Sequence, residues 1–436
     1  MVHTKYLMEK PMSARKYLPR IYDDILSWRI QTKGAVLIEG AKWCGKTSTS
    51  EQVARSVIYM QDPKTRDQNR RLAQIDPAIL LAGDTPRLID EWQEAPQLWD
   101  AVRFEVDQRD EFGQFILAGS ATPLDMNEME HTGTGRIARM KMRPMSLMES
   151  LDSTGEVSLK SLFAGQDLPI VSAADGLESL AFLMCRGGWP KAAEMEGRAA
   201  LQQAIDYVDA ITEVDISRVD KVKRSPITAK TLLRSYARMS ASQASLQSIR
   251  SDLVESGNEL GETAFSEYVE ALRRLFVIED LDAWNPNLRS KTAIRTRPTR
   301  HFVDPSIATV ALGATPSALM SDLNTMGLLF ETLCVRDLRV YADGLDGKVF
   351  HYRDKNDREC DAVVMLRDGR YGLIEIKLGG KDLIEEGAHN LKAVVDTLDI
   401  KKMNAPSFMM VLTGTGSSSY PREDGVLVVP VRCLGI

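Results

Sequence analysis

Features that define several other classes of protein are missing from this sequence. Its five cysteines are scattered and form no Cys-x-x-Cys pair, which argues against a disulfide framework and a zinc site and fits a reducing compartment. No apolar run approaches the ~18 residues that a membrane-spanning helix needs. Residues 1–16 are polar and lack the apolar segment of a signal peptide. These absences predict a cytoplasmic protein.

A strong charge of either sign is also lacking. The chain has 55 Lys and Arg against 61 Asp and Glu, a net charge of −6, so nucleic-acid binding would have to come from a local patch. An apolar fraction of 44% and a charged fraction of 27% are typical of globular proteins. A length of 436 residues predicts two or three domains.

What the sequence does contain is a phosphate-binding loop. A short apolar strand at 35–38 leads into Gly-x-x-x-x-Gly-Lys-Thr and then a helix at 47–54, the Walker A order; the alternative is a glycine-rich turn that matches by chance. The glycines let backbone N–H groups approach phosphate oxygens, and the helix points its positive end at the same anion. Lys46 can reach the β- and γ-phosphates, and the Thr47 hydroxyl can bind Mg²⁺. The predicted ATP-binding residues are Gly40, Ala41, Lys42, Trp43, Cys44, Gly45, Lys46, Thr47 and Ser48.

A second acidic motif follows where a Walker B segment belongs. Residues 87–91 are an apolar strand that ends in two carboxylates. Asp90 is predicted to hold Mg²⁺ through water, and Glu91 is predicted to polarise the attacking water. A solvated Asp-Glu pair at a strand end is the alternative.

Two further residues are candidates for the hydrolysis step. Residues 114–120 form an apolar strand that ends at Ser120, the candidate sensor of the γ-phosphate or the water; it could instead be an ordinary strand-ending serine. Arg136 precedes the strand-like stretch 137–145, where an arginine finger would lie. Pairing of Arg136 with an acidic neighbour is the alternative.

Strands alternate with helices in residues 15–150, which predicts a domain with a doubly wound parallel sheet.

Five segments of the sequence together resemble a prokaryotic family of AAA-type ATPases, which is related to the Orc and STAND branches and has a C-terminal domain of uncertain activity. These segments are 40–47, 88–91, 116–120, 135–136 and 143–149. Residues 187–190, Gly-Gly-Trp-Pro, are similar to a segment that follows that family's ATPase core. The resemblance covers residues 17–380 and implies ATP and Mg²⁺ as ligands.

In the middle of the chain, the sequence predicts a helical lid or linker at 151–225, followed by a winged helix-turn-helix at 226–304. Three helical patterns at 227–240, 246–253 and 263–276 precede strand-like segments at 277–284 and 300–304. The third helix is acidic, which makes it a poor reader of DNA. The wing carries basic residues that could hold phosphates, although a solvated or packed wing fits equally well: Arg289, Lys291, Arg295, Arg297 and Arg300.

The last domain, 305–436, is predicted to be α/β and restriction-endonuclease-like. Glu375 and Lys377 share one face of a strand at 371–377, Asp361 lies on the neighbouring hairpin strand, and Glu331 lies on the preceding helix. This arrangement resembles the PD-(D/E)xK nuclease core, although Cys360 replaces the usual proline. The resemblance implies carboxylates that hold Mg²⁺ and a lysine that activates water. A binding remnant without activity is the alternative.

Three hypotheses follow from these patterns. The first is an ATPase whose nucleotide state controls the winged helix and the nuclease-like domain. The second is an ATP-dependent switch or scaffold that recruits a protein partner and performs no nucleic-acid chemistry. The third is a DNA-processing nuclease that ATP only gates. A homo-oligomer would allow Arg136 to act in trans.

Overall fold

The computed structural model describes residues 17–120, 133–172, 176–257, 260–285, 296–398 and 403–436. Three of the predicted basic wing residues, Arg289, Lys291 and Arg295, lie outside these ranges. We call residues 17–150 the N-terminal unit, 151–304 the middle unit and 305–436 the C-terminal unit.

The N-terminal unit is built on a sheet of five parallel strands. Its strands are β1 (Ala35–Glu39), β2 (Ser56–Tyr59), β3 (Arg87–Asp90), β4 (Phe115–Gly119) and β5 (Ile137–Lys141). Their spatial order is β2-β3-β4-β1-β5, with every neighbouring pair parallel. Strand β4 is therefore inserted between β1, which leads into the Gly-rich loop, and β3, which ends at Asp90.

Helices cover both faces of this sheet. They are α1 (Ile21–Ile30), α2 (Lys46–Val53), α3 (Arg66–Ile75), α4 (Ala78–Leu81) and α5 (Leu98–Arg109), with a 3₁₀ turn at Trp92–Glu94. In β1, Val36 and Ile38 join one apolar cluster whereas Ala35 and Leu37 join another. A strand that is apolar on both faces needs cover on both. The predicted doubly wound parallel sheet is confirmed.

The middle unit is mostly helical. It begins with the short strand β6 (Val157–Ser158) and contains α6 (Leu159–Phe163), α7 (Leu177–Arg186), α8 (Pro190–Ala193), α9 (Gly197–Ala210), α10 (Ile216–Arg218), α11 (Pro226–Arg238), α12 (Leu246–Glu255) and α13 (Glu262–Arg274). The pattern at 201–219 predicts one helix, but a π-helical turn, Ile211–Asp215, separates α9 from α10. Such turns often occur at functional sites.

Helices α11 to α13 precede a narrow β-ribbon. Antiparallel bridges join Ile278 to Phe302 and Leu281 to Thr299. The predicted strand at 277–284 is thus limited to isolated bridges within the described residues. A further bridge, Ala283 to His351, attaches the ribbon to the C-terminal unit.

A six-stranded mixed sheet organises the C-terminal unit. Its helices are α14 (Pro305–Leu312), α15 (Pro316–Ser321), α16 (Leu323–Gly344) and α17 (Lys381–Val395). Its strands are β7 (Gly347–Arg353), β8 (Glu359–Leu366), β9 (Tyr371–Lys377), β10 (Phe408–Thr413), β11 (Tyr420–Pro421) and β12 (Leu427–Pro430). The order is β11-β12-β10-β9-β8-β7. Strands β7, β8 and β9 are antiparallel neighbours, whereas β10 runs parallel to β9 after the crossover helix α17.

The end of the chain returns to the start of the middle unit. Strand β13 (Leu434–Gly435) pairs with β6, and the rings of Phe163 and Phe408 lie 5.1 Å apart. Ser418 also bridges Ser172. The first part of the region predicted as a lid therefore packs on the C-terminal unit. In the described residues, no helix is both long enough and apolar enough to cross a membrane.

Candidate functional site

The loop between β1 and α2 has the backbone shape of a phosphate cradle. Gly40 has φ +153° and Gly45 has φ +105°. A Cβ on Gly40 would lie 2.0 Å from the Met142 carbonyl oxygen, and one on Gly45 would lie 3.1 Å from a guanidinium nitrogen of Arg20. Gly40 therefore excludes a side chain for steric as well as conformational reasons, whereas at Gly45 the positive φ is the main constraint and the contact is only tight.

Lys46 is held over this loop. Its ammonium donates to the carbonyl oxygens of Gly40 and Ala41, at 2.9 and 2.8 Å, and only 6% of the residue is exposed. An ammonium has three donors. The remaining donor suits a phosphate oxygen, so the loop fits the triphosphate that the sequence predicts.

Thr47 and Asp90 come together as a pair of oxygen ligands. The Thr47 hydroxyl donates to Asp90 Oδ1 at 2.9 Å. Hydroxyl and carboxylate oxygens are the ligands that Mg²⁺ prefers. Burial raises the pKa of Asp90 to about 6, while the Thr47 hydrogen bond opposes this rise and the neighbouring Glu91 adds to it. The structure thus brings together the two residues predicted to hold the metal.

The raised pKa of Asp90 predicts a pH-dependent affinity for Mg²⁺. Below pH 6 a proton occupies the carboxylate, so the apparent Kd for Mg²⁺ should rise up to about tenfold per pH unit through this group. Titration of Mg²⁺ against the ATP-loaded protein at several pH values measures this. The γ-phosphate of ATP also titrates, but equally in Asp90→Asn, so the difference between the two slopes reports Asp90. Equal slopes would contradict the assignment.

Glu91 and Ser120 lie side by side at the ends of β3 and β4. The Ser120 hydroxyl donates to Glu91 Oε2 at 3.2 Å, and the Gln93 amide donates to the same oxygen. Glu91 itself has φ +54°, which turns its side chain at the strand end. The inserted strand β4 thus places the candidate sensor against the candidate base.

Arg136 lies away from this group. Its guanidinium pairs with Asp107 Oδ1 on α5 at 2.8 Å, and 47% of its side chain is exposed. This is the acidic-neighbour alternative that the sequence left open. Within this chain Arg136 therefore pairs with Asp107 at the surface of the N-terminal unit and does not contact Glu91 or Ser120.

Arg20 supports the phosphate loop, and the sequence reasoning gave it no role. It is 5% exposed, donates to the Cys44 carbonyl at 2.7 Å and to the Arg143 carbonyl at 2.9 Å, and pairs with Glu149 at 3.0 Å. Only the position of Arg20 just before the first helix could have drawn attention to it. Its partners are distant in sequence.

The loop also touches the middle unit. Lys42 pairs with Asp215, in the π-helical turn, at 2.6 Å. The ring of Trp43 lies 5.9 Å from that of Tyr207, which lies 4.2 Å from Trp189. Loop residues that the Walker pattern leaves free thus connect the nucleotide site to the helices that follow it.

A buried ionic network continues this connection to the C-terminal unit. Arg143, which follows β5, donates twice to Glu279, at 2.9 and 2.7 Å, and also pairs with Asp343 on α16. Lys141 and Arg339 approach Glu279 at 2.9 and 3.8 Å. Glu279 thereby joins all three units.

The four residues of the predicted nuclease site also converge. The Lys377 ammonium lies 3.2 Å from Glu375 and 3.2 Å from Glu386, and Asp361 accepts a hydrogen bond from the Ile376 N–H at 2.7 Å. Burial raises the pKa of Glu331, and the Asp361 and Glu375 carboxylates raise it further. Burial and Asp361 likewise raise the pKa of Glu375, which is 1% exposed.

This cluster is not arranged as a metal site. Among the residues that the structure describes, no group of three or more His, Cys, Asp and Glu side chains could hold a metal ion. Asp361 accepts a backbone hydrogen bond with Oδ2, and Glu375 faces Lys377 with Oε2, whereas Glu375 Oε1 is buried without a partner among the described residues. Glu331 instead lies 3.7 Å from His301; burial lowers the pKa of His301 and raises that of Glu331. Within the described ranges, the four side chains therefore converge without forming a group of three metal ligands.

The described part of the basic wing offers few free cations. Arg300 is 4% exposed, pairs with Asp280 at 2.6 Å and donates to the Ala244 carbonyl at 2.8 Å. Arg297 is exposed. The outer face of α13 is acidic, with three exposed carboxylates: Glu262, Glu267 and Glu270.

Family models match three parts of this chain. Residues 32–151 match a family described as "AAA domain". Residues 177–318 and 326–434 match families described as domains of unknown function, DUF8612 and DUF4143. The N-terminal match supports an AAA-type P-loop ATPase domain, with ATP and Mg²⁺ as its expected ligands.

All five cysteines lie in described residues, where they are buried and form no disulfide bond.

Proteins of two mycobacteria and of an archaeon are similar to this chain. The uncharacterized proteins Rv2008c of Mycobacterium tuberculosis and Mb2031c of Mycobacterium bovis are each 24% identical over 400 residues, which is 91% of this chain and 79% of theirs. Among solved structures, the Walker-type ATPase PABY2304 of Pyrococcus abyssi is similar at 14% identity and a TM-score of 0.40. That alignment covers 66% of this chain and 94% of the archaeal one.

Proposed function

We propose that this protein binds and hydrolyses ATP and that its nucleotide state controls the C-terminal unit. The observation that carries the proposal is the hydrogen bond between Thr47 and Asp90 beside the cradled Lys46. When bound, Mg²⁺ neutralises charge that develops on the phosphates. Lys46 positions the β- and γ-phosphates, Thr47 and Asp90 hold the metal, and Glu91 orients the attacking water.

Two residues complete this proposed machinery. Ser120, which already bonds to Glu91, senses the γ-phosphate or orients the water through its hydroxyl. Arg136 is assigned to a neighbouring copy's site in a homo-oligomer, because it lies away from the site of its own chain. Acting there requires it to leave Asp107, a surface pairing that costs little to break.

We propose that the contacts of the phosphate loop and of Arg143, which follows β5, couple the nucleotide state to the C-terminal unit. Lys42 reaches Asp215 on the π-helical turn, and Arg143 joins β5 to Glu279 and Asp343. A shift of the loop or of β5 on hydrolysis changes these contacts. The side chains of Arg143 and Glu279 are each about 10% exposed, and ionic contacts packed in this way have few alternative geometries, so a small displacement produces a change of arrangement.

The proposed C-terminal activity is that of a restriction-endonuclease-like core, and the proposed middle module at 226–304 is a winged helix. Helix α16, the antiparallel β7-β8-β9, helix α17 and the parallel β10 support the first assignment. Three helices followed by a β-ribbon support the second. DNA or RNA is the proposed substrate, with Glu331, Asp361, Glu375 and Lys377 as the site.

A second candidate function is an ATP-dependent switch that recruits a protein partner. The observation in its favour is that the C-terminal carboxylates do not form a metal site in the described residues. The acidic outer face of α13 also disfavours nucleic acid. In this alternative the nuclease-like domain is inactive.

Cleavage assays with and without ATP separate the two candidates. The protein is incubated with plasmid or single-stranded nucleic acid and Mg²⁺ or Mn²⁺ while phosphate release is followed. The nuclease proposal expects cleavage that changes with ATP and falls about a hundredfold or more in Asp361→Ala and Lys377→Ala. Lys348→Ala, which removes an exposed lysine from β7, should cleave like the wild type.

The outcomes are distinct. ATP turnover without cleavage under any metal favours the switch. Cleavage that is equal in wild type, Asp361→Ala and Lys377→Ala rules out the proposed site.

A further inference from the structure

A pocket of about 290 Å³ lies at the carboxyl ends of the parallel strands of the C-terminal sheet, apart from the ATP site. It is lined by the start of α17 and by the loop that follows β10. In α/β sheets, ligands bind outside the carboxyl ends of strands, where the chain turns into helices and loops. The pocket occupies such a position.

The lining is rich in groups that bind anions. Helix α17 has fifteen residues, and the first N–H groups of a helix that long point out of its N-terminus with a partial positive charge. Gly379 and Gly380, with φ +123° and +92°, lead into it. The opposite wall is a short Gly-, Ser- and Thr-rich stretch, residues 414–418, and contributes Thr415, Gly416, Ser417 and Ser418.

The floor of the pocket contains a buried hydroxyl group, that of Thr413, without a hydrogen-bond partner in the described part of the chain. Thr413 lines the pocket and is 0% exposed, yet its hydroxyl has no hydrogen-bond partner among the described residues. Its Oγ1 would lie 3.6 Å from a Cβ on Gly416, which places it directly beneath the loop. Buried hydroxyls in proteins are almost always bonded, because leaving one unpaired costs free energy. A ligand oxygen in the pocket would satisfy it.

The charges around the pocket favour an anion. Lys381 lies at the mouth, is exposed, and forms no ion pair with the part of the chain that the structure describes. The carboxylate of Glu385, which also lines the pocket, is bound by both terminal nitrogens of Arg422, at 2.9 and 2.8 Å. Arg422 also pairs with Asp424, to which Lys392 donates at 2.7 Å, so the charges of these four side chains balance. Asp382 lies in the first turn of α17 but does not line the pocket, which leaves Lys381 and the helix terminus to attract an anion.

We propose that this pocket is a phosphate-binding subsite, in which Thr413 donates from the floor, the N-terminus of α17 from one wall and Lys381 from the mouth. The phosphate is either a free or terminal phosphate group or a phosphodiester of a nucleic-acid strand. Thr413 is in register with Lys377 on the neighbouring strand, so a bound phosphate lies beside the carboxylate cluster. The subsite requires neither ATP hydrolysis nor strand cleavage.

Equilibrium phosphate binding by the full-length chain tests the proposal. All variants carry Lys46→Ala, so that residual binding by the ATP loop is the same in each. The probes are inorganic phosphate and one single-stranded oligonucleotide with either a 5′-phosphate or a 5′-hydroxyl end. Thr413→Val should weaken binding at least about tenfold, because it removes a donor to a charged group and keeps the side-chain shape. Thr413→Ser, which keeps the hydroxyl, should bind like the parent.

Further variants control for charge and folding. Lys381→Ala should weaken binding and flatten its salt dependence, whereas Lys348→Ala should do neither. Thr413→Val should unfold at the parent's temperature or above, since it removes an unpaired polar atom, so a loss of binding would not reflect misfolding.

The three probes distinguish the sources of phosphate. Thr413-dependent binding of the 5′-phosphorylated strand alone indicates a terminal phosphate, equal binding of both strands indicates a phosphodiester, and binding of inorganic phosphate alone indicates a small anion. Each of these supports the subsite. Absence of saturable binding of any probe, or equal binding by the parent and Thr413→Val, overturns it.

Discussion

ATP turnover by the Lys46→Ala variant should fall by about a hundred- to a thousandfold, to the background of the assay. Lys46 is the cation that the structure holds at the mouth of the phosphate loop, through the Gly40 and Ala41 carbonyls. Alanine removes both these bonds and the donor that remains for phosphate. Phosphate release from ATP in the presence of Mg²⁺ measures the loss.

The matched control for this prediction is Lys64→Ala. Lys64 is an exposed lysine of the same unit that lies outside the loop, and its loss should leave turnover within about twofold of the wild type. Equal thermal stability of the two variants would show that the loop's function, not the fold, was lost. Wild-type turnover by Lys46→Ala would overturn the ATPase assignment.

The convergence of the candidate ATP-site residues was largely predictable because they lie in short, contiguous motifs. Lys46 and Thr47 follow one strand, Asp90 and Glu91 end another, and parallel strands bring such ends to the same edge of a sheet. The contact between Ser120 and Glu91 was foreseeable for the same reason, once an inserted strand was assumed.

The supporting contacts were not predictable in this way. Arg20 and Glu149 meet across a separation of 129 residues, and Arg143 and Glu279 meet across 136. Arg20 and Glu279 look like ordinary surface charges in the sequence, and the segment 143–149, although it contributes to the family resemblance, does not show which residues Arg143 and Glu149 contact. Only the packing of the units shows that they are buried and paired.

In the C-terminal unit, the sequence predicted which side chains lie together but not which contacts they form. Alternation along strands correctly placed Glu375 and Lys377 together, and the hairpin brought Asp361 beside them. The pattern could not show how these groups use their oxygens, because that depends on backbone N–H groups and on Glu386 from α17. The pocket around Thr413 left no sequence motif beyond a polar loop, since its unpaired hydroxyl is visible only in three dimensions.

Among the variants described above and below, Glu279→Ala should lower the free energy of unfolding the most. The Glu279 side chain is about 10% exposed and is surrounded by three cations: Lys141, Arg143 and Arg339. Removal of one partner from a buried ion pair typically costs 3–5 kcal/mol, because the remaining charges stay buried without compensation. Glu279→Ala should therefore lower the free energy of unfolding by about this amount in denaturant titrations followed by circular dichroism. Glu270→Ala, on the exposed face of α13, should change it by less than about 0.5 kcal/mol.

The pH dependence of this difference identifies its electrostatic origin. The pKa of Glu279 lies well below its ordinary value, against the effect of burial, because of Arg143, Lys141 and Arg339. The charge–charge contribution is therefore fully present above the unfolded-state pKa of about 4.3 and is lost as pH falls through the lower, folded-state value. The stability gap between wild type and Glu279→Ala should accordingly narrow below about pH 4. A gap that stays constant with pH would show that Glu279 stabilises the junction of the three units through packing and not through its charge.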